Sequence, residues 1–310
     1  MDASDDWPYR SLLFTPGHRL DWIRKTPRYA PDAVILDLED AVPPHEKVAA
    51  RGVTREGIGV LRAAGIAPFV RVNLETMAED VAGIMAKGLK GVCLPKLDNA
   101  RQVRQLADVL SYAEGQSGLP HGSVDIVAIP ETAAGLCDVR QLAAASPRVK
   151  SVMNGMNDRP SEAVVFQGDT ALAAGFIPTQ EGLEQVYMHA KICLESRAGG
   201  APWPVGAVIG TDLGNPEAAR RIALRLKAFG FTGCVCIHPS HVAIANEVFG
   251  PSVEEVAFHA GVLGALKAAE AAGQWAVNYR GIMIDRANVA VAERVLTLAR
   301  RYGIETPEGH

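Results

Sequence analysis

The sequence predicts an α/β fold, a closed (β/α)8 barrel of the TIM type with a C-terminal helical extension that acts as a lid. Three observations carry this expectation. Eight short apolar runs lie between residues 11 and 237. Amphipathic stretches of helical period separate most of them. The apolar runs also end, again and again, in a charged or polar residue.

The runs are Ser11–Pro16, Ala33–Leu38, Pro68–Val72, Gly91–Pro95, Val124–Ile129, Val149–Met153, Pro204–Ile209 and Gly233–Ile237. Near-continuous apolar strands separated by helices indicate a parallel sheet covered on both faces. About eight such units close into a barrel. The intervening helical stretches are Lys47–Arg62, Met77–Lys87, Ala100–Tyr112, Leu136–Ala145, Glu181–Arg197 and Glu217–Phe229. A doubly wound open sheet is the rival fold, but the Gly-rich dinucleotide turn is missing after the first run. A longer irregular insert, Arg159–Pro178, follows the sixth run and suits a substrate loop. Beyond the eighth run come three more helices, Ser240–Val248, Val253–Ala272 and Asn288–Tyr302, with a loop around Gly281–Asp285. The predicted organisation is therefore residues 1–240 as the barrel and 241–310 as extension and lid, in one functional unit.

Composition narrows the function. The 310 residues are 48% hydrophobic, with net charge −4 and a pI near 6.1. No basic tract of five or more residues is present, which leaves nucleic-acid binding with little electrostatic support. The N-terminal MDASDDWPYR lacks an apolar signal core, and no apolar run approaches transmembrane length. The five cysteines are odd in number and lack CxxC spacing, which fits reduced thiols. A cytoplasmic protein is expected, with neither nucleic acid nor membrane as a partner.

In a parallel barrel the C-terminal strand ends converge on one mouth, where barrel enzymes carry out their chemistry. Here those ends bear Asp37, Glu39 and Asp40; Arg71 and Asn73; Lys96; Glu131 and Thr132; Asn154 and Asp158; Thr211 and Asp212; and His238 and His241. Glu131 and Asp158 end adjacent strands. Carboxylates so placed suit a hard divalent cation such as Mg²⁺, with Mn²⁺ as an alternative, although any single acid there can instead cap a helix or pair with a cation. Arg71 would bring a rigid fork able to bind a carboxylate or an enolate oxygen. The histidines lack HxxxH spacing, which disfavours zinc.

At these residues the sequence resembles the HpcH/HpaI aldolase and citrate lyase β-subunit superfamily. The matching segments include RSLLFTPGHR (10–19), AVILDLEDAVPPHEKVAAR (33–51), RVN (71–73), LPK (94–96), ETAAG (131–135), NGMND (154–158), GFTGCVCIHPSH (230–241), NEVFGPS (246–252) and GIMID (281–285). The resemblance implies a Mg²⁺-dependent barrel acting on acyl thioesters, with CoA as the expected carrier, as a homotrimer or a multiple of it. It implies Glu131 and Asp158 as metal ligands, and Arg71 as the catalytic and substrate-binding arginine. It further implies Asp285 as an acid/base group delivered by the lid, in several members to a neighbouring subunit. Thr15, Pro16, Gly17 and Arg19 match elements lining the thioester pocket, and Glu39, Asp40 and Asn154 match the substrate side. Two departures stand out: Asn157 where members commonly carry an acid, and His18 after the PG turn.

The expected reaction is cleavage of a 3-hydroxyacyl thioester of the malyl-CoA, citramalyl-CoA or citryl-CoA type into a 2-oxo acid and an acyl-thioester enolate. Lys96 is expected to act electrostatically rather than as a Schiff-base nucleophile, because the metal already serves as electron sink. The alternatives are a metal-dependent pyruvate aldolase acting on free 4-hydroxy-2-oxo acids, or a non-catalytic subunit of a citrate lyase-like complex.

Overall fold

The structure, a computed structural model, describes residues 7–157, 167–209 and 213–305. These form two compact units, Met1–Asn246 and Glu247–His310.

In the first unit the eight apolar runs form eight parallel strands in one closed barrel: β1 (Ser11–Pro16), β2 (Ala33–Asp37), β3 (Ala67–Arg71), β4 (Gly91–Leu94), β5 (Asp125–Ala128), β6 (Val149–Asn157), β7 (Val205–Ile209) and β8 (Gly233–Cys236). β1 pairs with β8 to complete the ring. The expected TIM-barrel architecture is thus observed, with every strand in sequence order. Strands β2, β4, β5 and β8 are buried throughout, as a sheet covered on both faces requires.

Alternation along each strand fills the barrel interior. Leu12, Ala33, Ile35, Phe69, Cys93, Val127, Ile129, Met153, Val205, Ala207 and Val235 belong to one buried cluster. Trp7, Tyr9 and Phe69 close the lower end with edge-to-face contacts, ring centroids 4.9–5.6 Å apart. There the Trp7 indole donates to Asp125 at 2.9 Å. The cysteines Cys93, Cys193, Cys234 and Cys236 are buried core residues; burial pushes the Cys193 thiol up to about 12.

Helix boundaries differ from the sequence reading in informative ways. The helix Ala100–Gln116 runs four residues past its expected end, starting from an Asn99–Gln102 capping box. Its extra turn carries Glu114 to Arg148. The stretch Leu136–Ala145 is two short helices, Ala133–Cys137 and Val139–Ala144. Among the described residues no helix is long and apolar enough to cross a membrane.

In the second unit the expected loop at Gly281–Asp285 is instead half of a β-hairpin, β9 (Ala276–Tyr279) and β10 (Ile282–Asp285). Its two-residue turn has Arg280 at φ 49° and Gly281 at φ 83°. Both central residues with positive φ match the twist of antiparallel strands, and Asn278 Oδ1 accepts the Gly281 N–H at 2.9 Å. The sequence concealed this because arginine rarely occupies such a position. Helices Val253–Ala271 and Ala287–Arg301 pack with the hairpin around Val262, Leu266, Ile284 and Ala292. Of the three apolar residues of β10, Ile284 is in this core, whereas Ile282 and Met283 are exposed.

Candidate active site

The interior face of the barrel turns polar at its upper end by continuing the same alternation. Ala33 and Ile35 lead to Asp37, Ala67 and Phe69 to Arg71, and Val127 and Ile129 to Glu131. Strand register sets Asp37 directly opposite Arg71, and Pro16 opposite Asp37. Above this layer opens a cavity of about 790 Å³. Its wall includes Phe14, Asp37, Arg71, Glu131, Asp169 and His238.

Arg71 is the centre of the charge network. Its Nε and Nη2 donate to the two oxygens of Asp37 at 2.7 and 2.8 Å. Its Nη1 lies 3.0 Å from Glu39, and Nη2 lies 3.4 Å from Asp40. The guanidinium also stacks over Phe14, 4.9 Å from the ring centroid. Burial by itself would weaken its hold on the proton, but Asp37, Glu39 and Asp40 outweigh this and keep it charged. Lys96 faces the same acids, 2.8 Å from Glu39 and 3.5 Å from Asp40. The Glu39 hydrogen bond holds the Lys96 ammonium well above its ordinary value. A Schiff-base lysine must shed its proton, and this one is held charged, as expected for an electrostatic group.

Glu131 shows the opposite condition. Desolvation raises its carboxyl to about 7, with Glu39 and Asp169 adding to the rise and Arg71 opposing it. Among the described residues it accepts one hydrogen bond, a long one from the Lys96 backbone N–H at 3.3 Å. A half-buried, desolvated carboxylate with one long hydrogen bond among the described residues suits a divalent cation. Asp158, the second expected ligand, lies outside the described residues, as do Thr211 and Asp212. Among the described residues no group of three or more His, Cys, Asp or Glu side chains is arranged around a metal position.

The expected thioester residues divide. Thr15 and Pro16 line the cavity. Gly17 is absent from the wall and serves packing: its N–H donates to Asp37 O at 2.8 Å, and a Cβ there would collide with Thr54 Oγ1. Arg19 is exposed, paired with Asp21 at 3.0 Å and stacked 4.7 Å from the Trp22 ring, which itself lines the cavity.

The residues expected on the substrate side are placed as follows. Asn154 is fully buried just behind the cavity wall, and its Nδ2 donates at 3.2 Å to Thr170, which lines the cavity. Its neighbours Met153 and Gly155 line the cavity, and adjacent strand residues face opposite ways. Glu39 and Asp40 lie outside the wall too and hold Arg71 and Lys96. Asp285 lies in the second unit, exposed, and accepts the Ala287 N–H at 2.8 Å at the start of a helix. Sequence reasoning missed Asp37 as a site residue, although it was quoted at the end of its strand. It also missed Phe14, Asp169, Trp22 and Tyr29; Phe14 shares the interior parity of Leu12, a signal that could have found it.

Comparison with known proteins agrees with this architecture. The family model described as HpcH/HpaI aldolase/citrate lyase matches residues 10–239. A citrate lyase subunit beta-like protein of Deinococcus radiodurans is 36% identical over 93% of this chain and 96% of its own length. An L-malyl-CoA/beta-methylmalyl-CoA lyase of Cereibacter sphaeroides is 33% identical over 94% of this chain and 95% of its own. Among solved structures, the protein CitE from Mycobacterium tuberculosis, in complex with magnesium, acetoacetate and coenzyme A, superposes with a TM-score of 0.69. It is 27% identical and covers 94% of this chain and 97% of that one.

Proposed function

The chain belongs to the HpcH/HpaI aldolase/citrate lyase family, and from that premise we propose that it is a Mg²⁺-dependent carbon–carbon lyase. Its substrate is a 3-hydroxyacyl-CoA thioester of the malyl-CoA, citramalyl-CoA or citryl-CoA type, and its products are a 2-oxo acid and an acyl thioester. The observation that carries the reading is Glu131, a half-buried carboxylate whose proton affinity desolvation raises, on one cavity wall with the ion-paired Arg71. Relatives named as CoA-thioester lyases support it.

Glu131, together with Asp158, would hold the cation, which supplies Lewis-acid stabilisation of the substrate's alkoxide and carboxylate oxygens. As the hydroxyl passes its proton to solvent water, the bond from the carbinol carbon to the thioester α-carbon breaks, and its electron pair passes to the thioester carbonyl. Arg71 neutralises the enolate oxygen. Asp285 gives the α-carbon its proton, or removes one in the reverse direction. We assign that role to Asp285 of a neighbouring subunit in a homotrimer or a multiple of it. Mixing inactive Arg71→Ala and Asp285→Ala proteins under subunit exchange is then expected to restore partial activity; mixed oligomers that stay dead exclude sharing.

The deciding experiment incubates purified protein and Mg²⁺ with malyl-CoA, methylmalyl-CoA, citramalyl-CoA and citryl-CoA, and measures released 2-oxo acid. Cleavage of free 4-hydroxy-2-oxo acids with no acyl-CoA turnover would establish an aldolase instead. A second expected result concerns the metal directly. Because the Glu131 carboxyl titrates near 7 and must lose its proton to bind a cation, Mg²⁺ affinity should be lower at pH 6 than at pH 8. Glu131→Gln should abolish Mg²⁺ binding by calorimetry and flatten that pH dependence.

A further inference from the structure

The helical turn Leu183–Gln185 runs directly into the helix Val186–Ala198, and together they form one outer rod of the barrel. One side of the rod is buried. Met188, His189, Ile192 and Cys193 face β6 and the neighbouring helices, with the His189 ring 5.6 and 5.8 Å from those of Phe229 and Phe231. The opposite side is open to water and is equally apolar. Leu183 is 74% exposed, Tyr187 78% and Leu194 72%; Val186 and Ala190 are exposed among them. The helix Ala100–Gln116 shows the ordinary arrangement, with Arg101, Arg104, Gln105 and Asp108 on its outer face. A barrel helix needs one apolar face, and a helix apolar on both sides has a second surface to cover.

The open residues have a spacing of their own. Leu183, Tyr187, Ala190 and Leu194 follow one another by four, three and four positions. That is the a/d spacing of a seam between two helices. The charges along the rod give the seam a direction. Glu181 is exposed at its start and Arg197 at its end. Between them, Glu184 is turned onto Thr179 and Lys191 onto Glu195. Among the described residues Arg197 donates to the carbonyls of Cys193 and Gly230, and neither cancels its charge. An antiparallel copy of the rod sets Leu183 on Leu194 of the partner subunit, and the large Tyr187 over the small Ala190 of the partner subunit. It also brings Glu181 to Arg197 of the partner subunit. A parallel copy would set acid against acid. The seam is thus its own complement under a two-fold rotation, which an isologous interface requires.

We propose that the face formed by Leu183, Tyr187, Ala190 and Leu194 is an interface between two copies of this chain, paired antiparallel about a two-fold axis that crosses the rod between Tyr187 and Ala190. The contact is separate from the lid contact assigned above and does not depend on the reaction. Pairing removes from water apolar side chains that the single chain leaves wet, which is the driving force for association. A two-fold contact doubles whatever the lid contact assembles. The protein is therefore an even-numbered oligomer: a dimer where this contact acts alone, a hexamer where trimers pair through it.

Light scattering coupled to size exclusion reads the contact as a molar mass. The wild type should contain an even number of chains. Leu194→Glu and Tyr187→Glu should each halve that mass, because each buries a carboxylate in the seam twice over. Both residues are exposed in the single chain, so both variants should keep the wild-type circular dichroism spectrum. An odd-numbered wild type, or a mass unchanged in both variants, overturns the proposal. Cysteine pairing tests the direction, in a Cys137→Ser background that removes the exposed thiol. Leu183→Cys and Leu194→Cys proteins, mixed and mildly oxidised, should give a linked pair with one chain of each, identified by mass. Either variant alone should stay unlinked, because about 16 Å of helix separates the two positions. Self-linking of each variant alone would reveal a parallel contact, and no linking in the mixture would reveal none; both results overturn the antiparallel seam.

Discussion

Replacing Arg71 by lysine is expected to lower kcat/KM for the acyl-CoA substrate by about 10²- to 10³-fold, the cost of one preorganised donor aimed at developing negative charge. The geometry explains why charge alone does not suffice. Asp37 accepts from Nε and Nη2 at once, while Nη1 reaches Glu39. An ammonium is a single point and cannot satisfy both oxygens of Asp37 and still face the cavity. It would settle against Asp37, the better shielded acid, and leave Glu39 to Lys96. The stack on Phe14 would be lost as well. The fold should survive, because the positive charge beside Asp37 is kept, so a near-normal thermal midpoint should accompany the kinetic loss. Turnover close to wild type would show that Arg71 only neutralises the acids around it.

At the opposite end of the barrel, Glu114→Gln is expected to cost about 3–5 kcal/mol of stability, the range for breaking a buried ion pair. Glu114 is fully buried, and Arg148 is 6% exposed. The Arg148 guanidinium meets both Glu114 oxygens at 2.8 and 2.7 Å. It also donates to Val124 O and Ser111 Oγ. Glu114 accepts in addition from Gly122 N, Val124 N and Ser123 Oγ. The pair therefore fastens the end of the helix Ala100–Gln116 to the starts of β5 and β6. Conserving shape while removing charge leaves Arg148 buried and uncompensated. Folded Glu114→Gln protein should keep wild-type kcat, since this is the lower face of the barrel.

The effect of pH has a defined sign. Burial by itself would raise the Glu114 carboxyl, but Arg148 and the backbone N–H groups of Gly122 and Val124 outweigh it and hold it down at about 2, below its ordinary 4.5. A depressed carboxyl contributes stability that is full above pH 4.5 and fades as the pH falls from there toward 2. The gap in urea midpoint between wild type and Glu114→Gln should thus be wide at pH 7 and narrower at pH 3. A gap that stays constant across this range would mean that the glutamate charge contributes nothing.

The barrel itself was legible in the chain. Eight buried strands announce themselves because burial on both faces demands unbroken apolar runs, and their polar ends mark the mouth. Arg71 and Glu131 were found from those ends, and both line the cavity. Along β6, Met153 and Gly155 line the cavity, and Asn154 between them reaches it through its hydrogen bond to Thr170. Other features depended on contacts that no local pattern encodes. The hairpin turn at Arg280–Gly281 required a non-glycine residue at positive φ, which only the packed second unit makes tolerable. Nothing in LDLED distinguishes its three acids. Asp37 is locked because strand register sets it opposite Arg71. Glu39 is buried because it must join Arg71 to Lys96. Asp40 is left loose because its loop turns it toward water. Periodicity decides which face of an element is buried; which of several like charges is fixed and which can yield is decided by long-range pairing between elements far apart in the chain.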